Sequence, residues 1–118
     1  MSKIVKAKVD VAMIDVEVLE KALRHHGEVQ KHSDDRLTLY KNSQRTMYSR
    51  INFKRNRIGG FEAYHDDMSS WAKAALPQIA DHYIAHHYEA ALVKDGYNVN
   101  IVTQHDGSLE LVAEEGAW

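Results

Sequence analysis

The residues best suited to chemistry lie between positions 36 and 57, where seven Lys and Arg residues occur without any Asp or Glu. Alternation of polar and apolar residues places Tyr48, Arg50, Asn52 and Lys54 on one side of a strand. Positive charge attracts phosphates, and aromatic rings offer bases a surface for stacking. The expected binding residues, for nucleic acid or a protein partner, are Lys6, Lys8, Arg36, Tyr40, Arg45, Tyr48, Arg50, Asn52, Lys54, Arg55 and Arg57.

This basic segment is an electrostatic footprint and not a sequence motif. No RNP consensus accompanies it, so the same side chains would also suit a solvated sheet face or a face covered by another subunit. Asn98 and Asn100 are expected to join this face from a later strand.

Eight histidines form the second chemical feature. His82 and His86 are four residues apart on a predicted helix, with Glu89 one turn further, and such spacing suits two imidazoles and a carboxylate around a metal. The sequence between them, HYIAH, lacks the Glu of the HExxH motif, so we expect no metal and no cofactor. His87 is predicted to be a core residue. His25 and His26 should end a helix, where the helix dipole favours their protonated forms.

Catalytic motifs are lacking in the sequence. The chain has no Cys, which excludes disulfides, thiol nucleophiles and Cys-ligated zinc. No Ser lies in a G-x-S-x-G elbow, and no Lys-Ser or Lys-Thr follows Gly59-Gly60. We therefore expect a protein that is not an enzyme.

The first half of the chain must position the basic segment. Residues 3–11 alternate as a half-buried strand, and residues 15–26 have helical periodicity with Asp15 as N-cap and Gly27 as a positive-φ stop. Residues 28–35 are predicted to be a loop. Strands follow at 36–41 and 45–54, and a weaker strand at 57–65 contains Gly59-Gly60.

The second half is predicted to be a helix and a hairpin. Pro77 should break or kink the chain near Leu76 before a helix over 77–94. Its buried stripe is expected to contain Leu76, Ile79, Ala80, Tyr83, His87, Ala90 and Ala91. Tyr88 and Leu92 lie opposite this stripe and would face a partner. Asp95-Gly96 should end the helix, and Asp106-Gly107 should join strands 97–103 and 108–113. Residues 113–118 are expected to be a loose tail, although Trp118 could dock on another part of the chain.

These elements predict one α+β domain over residues 1–118. The order β-α-β-β-(β)-α-β-β indicates a single, mainly antiparallel sheet of five to six strands with two helices on one face, related to the ferredoxin-like fold. The N-terminus has no continuous apolar segment, and no apolar run reaches the roughly 20 residues that span a bilayer. A cytoplasmic protein without membrane contact is expected.

Both ends of the chain resemble a family of small uncharacterised proteins. The matching features are an N-terminal strand followed by LEKALRHHG, and a long helix with Tyr83 that leads into KDGYNVNIVTQHDGSLELV. The chain is similar to the family typified by hypothetical chloroplast reading frame thirty-five, with plastid, cyanobacterial, bacterial and phage members. The resemblance implies a fold but no reaction and no catalytic residues.

Three functions are consistent with the sequence. We expect a small binding module that contacts another protein or a second copy of itself, for example as a homodimer. The alternatives are nucleic-acid or phosphate binding through the basic face of residues 36–57, and a phage-encoded inhibitor of a host system. Residues 58–118 hold ten acidic residues against Lys73 and Lys94 alone, and this segregation of charge would influence the choice of partner.

Overall fold

The computed structural model describes residues 3–9, 11–42 and 45–116, so the prediction for Trp118 lies outside the described residues. These residues form two helices and seven strands with one short 3₁₀ turn at Met47–Ser49. In chain order the elements are β1 (Ile4–Ala7), α1 (Val16–Arg24), β2 (Glu28–Ser33), β3 (Arg36–Tyr40), β4 (Arg50–Arg55), β5 (Phe61–Asp66), α2 (Ser70–Lys94), β6 (Tyr97–Thr103) and β7 (Leu109–Glu115). The predicted α+β class, with two helices and a mainly antiparallel sheet, is confirmed.

Five strands form an antiparallel sheet in the order β1-β5-β4-β3-β2. In its register Thr38 lies opposite Asn52, and Asn52 lies opposite Tyr64. The prediction of a loop over 28–35 was wrong, because β2 pairs with β3 along the sheet edge. An edge strand needs only one bonded neighbour and one covered apolar side chain, here Val29, so a polar sequence can occupy it.

The prediction of a single sheet was also wrong. Strands β6 and β7 form a separate two-stranded sheet, paired from Tyr97 opposite Glu115 to Thr103 opposite Leu109. This hairpin packs mainly on α2 and adds no strand to the larger sheet. The left-handed φ of 87° at Gly107 closes its turn, as the Asp106-Gly107 pair predicted. Residues 113–115 belong to β7, so the predicted loose tail was wrong for them.

Both helices pack on the same face of the five-stranded sheet. A single core joins Leu19 and Leu23 of α1 and Ile79 of α2 to the sheet residues Leu37, Leu39, Ile51, Phe53 and Ala63. Alternation along the strands therefore leaves the even-numbered side chains of β3, β4 and β5 on the opposite side, which we call the open face.

The start of α1 follows the prediction, whereas its end does not. The Asp15 carboxylate accepts hydrogen bonds from the N–H groups of Glu17 (2.9 Å) and Val18 (3.2 Å). Gly27 is not among the residues with positive φ. Instead, a Cβ at Gly27 would lie less than 3.0 Å from the Tyr40 carbonyl oxygen. Glycine is needed there for close approach of two backbones.

Helix α2 is continuous from Ser70 to Lys94, so the predicted break near Leu76 was wrong. Pro77 removes one backbone hydrogen bond, but it lies on an exposed side where water can reach the Lys73 carbonyl. On the other side Ala72, Leu76 and Ile79 are buried in the core, and this packing holds the helix together across Pro77. No helix in the described part of the chain is long and apolar enough to span a membrane.

The predicted strand over 45–54 begins late, at Arg50, because the 3₁₀ turn Met47–Ser49 precedes it. The predicted stripe of α2 ends early, because Ile79 and Tyr83 are buried but His87, Ala90 and Ala91 are exposed. His87 is therefore not a core histidine. The core cluster ends at Tyr83, and the molecule measures 58 × 35 × 25 Å. Its Cα radius of gyration of 15.2 Å exceeds the roughly 13.5 Å of a spherical domain of this length.

Candidate functional site

The centre of the open face contains a polar cavity of about 290 Å³. Three neighbouring strands supply most of its lining, and β2 adds one side chain. The lining residues are His32, Arg36, Leu37, Thr38, Arg50, Asn52, Phe53, Lys54 and Tyr64. The set contains three permanent cations and no carboxylate, so the cavity favours an anionic group.

Arg50 is the most unusual member of this set. Its Nε is buried and has no hydrogen-bond partner among the described residues. Within that part of the chain its guanidinium also makes no ion pair within 4.0 Å. A buried donor without an acceptor is uncommon in folded proteins, and bound water, an ion or a functional role usually accounts for it.

A chain of hydrogen bonds crosses the floor of the cavity. The Thr38 hydroxyl donates to Asn52 Oδ1 (2.8 Å), since that oxygen can only accept. The contact of 2.9 Å between His32 Nε2 and Thr38 Oγ1 is then a bond that the imidazole N–H donates. These hydrogen bonds use the side-chain oxygen of Asn52, so both N–H donors of its amide are left for a ligand.

Two carboxylates of β5 share the open face but do not line the cavity. Glu62 accepts from Tyr64 Oη (2.7 Å) and from Asn56 Nδ2 (3.3 Å), and lies 3.7 Å from Lys6 Nζ. These hydrogen bonds, first that of Tyr64, and the nearby lysine hold the pKa of Glu62 below its usual range. Asp66 is buried and accepts from the Met68 N–H at 2.9 Å.

Four of the predicted binding residues, Arg36, Arg50, Asn52 and Lys54, meet at the cavity. Lys6 lies on the same face, two strands from Asn52, but is paired with Glu62. The structure thus brings four of the eleven predicted residues together at one cavity.

Arg45 and Tyr40 form a pair of their own at the other end of β3. The Arg45 guanidinium lies 4.0 Å from the centre of the Tyr40 ring and makes a 2.8 Å ion pair with Glu28. Tyr48 belongs to the 3₁₀ turn and has a half-exposed ring, and its carbonyl accepts from the Ser69 hydroxyl. These residues shape the rim of the sheet and do not line the cavity.

Arg55 is a structural residue. Alternation places it on the helix side of β4, where it contacts the Asp35 carboxylate (2.7 Å) and donates to the carbonyls of Ile14, Asp34 and Gly59. Its guanidinium also covers the Phe61 ring at 4.4 Å. Four of its five N–H donors have protein acceptors and it lies on the helix side of the sheet, so the expectation that Arg55 is a binding residue of this face was wrong.

Four further residues are placed elsewhere. Lys8 lies beyond the end of β1, and Arg57 is exposed in the β4–β5 turn. Asn98 and Asn100 belong to the separate hairpin, so the expectation that they join the open face was wrong. Sequence reasoning also missed His32 and Tyr64. The strand pattern of 57–65 was a signal for Tyr64, but nothing in the polar segment 28–35 marks His32 as a cavity residue.

Four histidines meet where α1 ends against α2. The ring nitrogens of His25 and His86 are 2.8 Å apart, and those of His26 and His82 are 3.1 Å apart. The His25 and His82 rings stack with a centroid distance of 4.1 Å. His86 Nδ1 lies 3.1 Å from Glu89 Oε1, so the three predicted metal-ligand candidates are neighbours.

The surroundings of His25 and His26 favour their neutral imidazole forms. Burial and then the neighbouring His82 and His25 lower the pKa of His26 from 6.5 to about 4, and burial with His82 and His86 also lowers the pKa of His25. The expectation that the helix dipole keeps these two residues protonated is therefore wrong. Among the described residues no group of three or more His, Cys, Asp or Glu is arranged to hold a metal ion.

An apolar groove of about 470 Å³ lies between α2 and the segment that precedes α1. Ile84 and Tyr88 of α2 line the groove, and Ile14 lines the opposite wall. Ala91 is also exposed and continues the helical spacing of Ile84 and Tyr88 beyond the groove. Exposure is 38% for Ile84, 57% for Tyr88 and 58% for Ile14. The Tyr83 hydroxyl accepts from the N–H groups of residues 14 and 15, which fixes the wall of the groove against the helix.

Comparison with known proteins gives no family assignment. The family resemblance drawn from the two ends of the chain stays a prediction, as does the ferredoxin-like relation. The chain matches no family model, no curated protein and no solved structure.

Proposed function

We propose that this protein is a non-enzymatic binding module that forms a homodimer through the groove side of α2. The observation that carries this proposal is the apolar seam of Ile84, Tyr88 and Ala91 beside Ile14. A helix with apolar residues on several sides is normally covered on those sides. Here one side holds the hairpin, and the side with Ile84, Tyr88 and Ala91 faces solvent.

The seam suits a second copy of the same chain. Its apolar residues follow the spacing i, i+4, i+7, which is the pattern of a helix that packs against another helix. A two-fold axis across the seam would place each Tyr88 against the groove of the other subunit. The open face lies on the far side of the sheet from both helices and stays accessible in such a dimer.

Light scattering after size exclusion tests the dimer. The wild-type chain is expected at twice its monomer mass of 13.5 kDa, and Tyr88→Glu at the monomer mass, since a buried carboxylate without a partner opposes association. Ile58→Glu is the matched control, because Ile58 is 95% exposed in the β4–β5 turn. A wild-type monomer at every concentration, or dimers of Tyr88→Glu as stable as those of wild type, would refute self-association through this seam.

A second candidate function is nucleic-acid binding through the open face, and the carboxylate-free cationic cavity favours it. This function predicts an affinity that falls steeply with salt. It also predicts that the double change Arg50→Ala and Lys54→Ala removes binding while the oligomeric mass is unchanged. Dissociation of the dimer by that double change would instead make the open face an interface.

A further inference from the structure

We infer that the open-face cavity is a site for a phosphate group, with Arg50 as its central ligand. The inference deepens the second candidate function, on which it rests for the source of the phosphate, and it is independent of dimerisation. It specifies one pocket and one chemical group, where the candidate function specifies only a charged face.

The first step concerns the donor that lacks an acceptor. Arg50 Nε–H is buried and unpaired in the described part of the chain. This donor loses its hydration on folding and gains no acceptor from the described residues in return. Arg50 also lines the cavity, where an oxyanion would accept from its terminal N–H groups in the fork geometry that Arg forms with phosphates.

The second step concerns charge. Arg36 and Lys54 are opposite each other on neighbouring strands and line the same cavity. Neither makes an ion pair within 4.0 Å among the described residues, and two exposed cations so close repel each other. A doubly charged phosphate between them would relieve this repulsion, whereas a neutral ligand would not.

The third step concerns shape and the neutral donors. A cavity of about 290 Å³ is small, and it is open to solvent on one side. The Asn52 amide is oriented by its bond from Thr38, so that its N–H groups are free to donate to a third phosphate oxygen. Cations and neutral donors from adjacent strands thus converge on one region, as an oxyanion site requires.

The experiment follows the Arg50 Nε–Hε resonance of the full chain by nuclear magnetic resonance during titration with inorganic phosphate. The signal is expected to shift and saturate, and Arg50→Gln is expected to weaken phosphate binding by about tenfold or more. Arg57→Gln removes the same charge from an exposed turn outside the cavity and should leave affinity nearly unchanged. Arg50→Lys keeps the charge and the fold but lacks the fork of donors, so it should also lose affinity.

Two results would overturn the inference. One is an Arg50 Nε–Hε signal that does not respond to phosphate, and the other is an equal loss of affinity in Arg50→Gln and Arg57→Gln. A single-stranded oligonucleotide that binds more tightly than inorganic phosphate, with the same dependence on Arg50, identifies a nucleic-acid backbone as the source. Saturable phosphate binding without oligonucleotide binding supports the pocket and refutes the nucleic-acid function.

Discussion

Acidification is expected to destabilise the fold through the histidine cluster, most of all through His26. Its pKa falls from 6.5 to about 4 on folding, so the unfolded chain takes up a proton in a pH range where the folded protein does not. The contribution of neutral His26 to the free energy of unfolding is fully present above the unfolded pKa. It is lost as the pH falls from about 6.5 towards about 4. The pKa of His25 is also lowered on folding, so His25 contributes to the loss of stability in the same direction.

The expected change in the free energy of unfolding follows from the difference in proton binding between the folded and unfolded states. At about pH 5 the shift of His26 corresponds to about 2 kcal/mol relative to neutral pH. The imidazole is only partly buried, so screening by solvent reduces this to about 1 kcal/mol. A loss of that size lowers the melting temperature of a domain of this length by about 4 °C.

Denaturant unfolding at a series of pH values measures this effect. His26→Gln removes the titrating ring and should flatten the loss of unfolding free energy between about pH 6.5 and about pH 4. His105→Gln is the control, because His105 is exposed in the hairpin turn away from the cluster. If His26→Gln keeps the full wild-type slope, the argument from burial and neighbouring imidazoles is refuted.

Three further changes test the packing that positions the sites. Gly27→Ala should reduce the unfolding free energy by about 2–3 kcal/mol, because its methyl collides with a β3 carbonyl, whereas Gly60→Ala meets no atom closer than 3.8 Å and should be tolerated. Tyr83→Phe removes the acceptor of two backbone N–H groups and should cost about 1–3 kcal/mol in chemical denaturation. Arg55→Gln should lower stability by about 2 kcal/mol, against no change for Arg57→Gln, and equal melting temperatures would contradict the structural role of Arg55.

Local signals in the sequence identified most elements but not their assembly. The N-cap at Asp15 and the turn at Asp106-Gly107 depend on a few adjacent residues, and both predictions were confirmed. Strand β2 was missed because its pairing with β3, and not its own composition, makes it a strand. The continuity of α2 through Pro77 likewise depends on tertiary packing, which offsets a local cost.

The candidate site was likewise predicted only where local sequence patterns determine it. Alternation along β4 predicted that Arg50, Asn52 and Lys54 share a face, and the structure places all three at one cavity. The same pattern cannot show that Arg55 is enclosed by carbonyls from distant loops. The histidine cluster could not be predicted from local patterns for a related reason. His25 and His86 are 61 residues apart in sequence and meet only when α1 packs on α2.

The position of β1 at the sheet edge has a consequence for synthesis of the chain. Ile4 pairs with Asp66, so the first strand leaves the ribosome about sixty residues before its partner. During that interval its backbone donors and acceptors are open to other nascent chains. Lys3, Lys6 and Lys8 lie along this segment, and charges at such positions oppose aggregation of an unpaired strand.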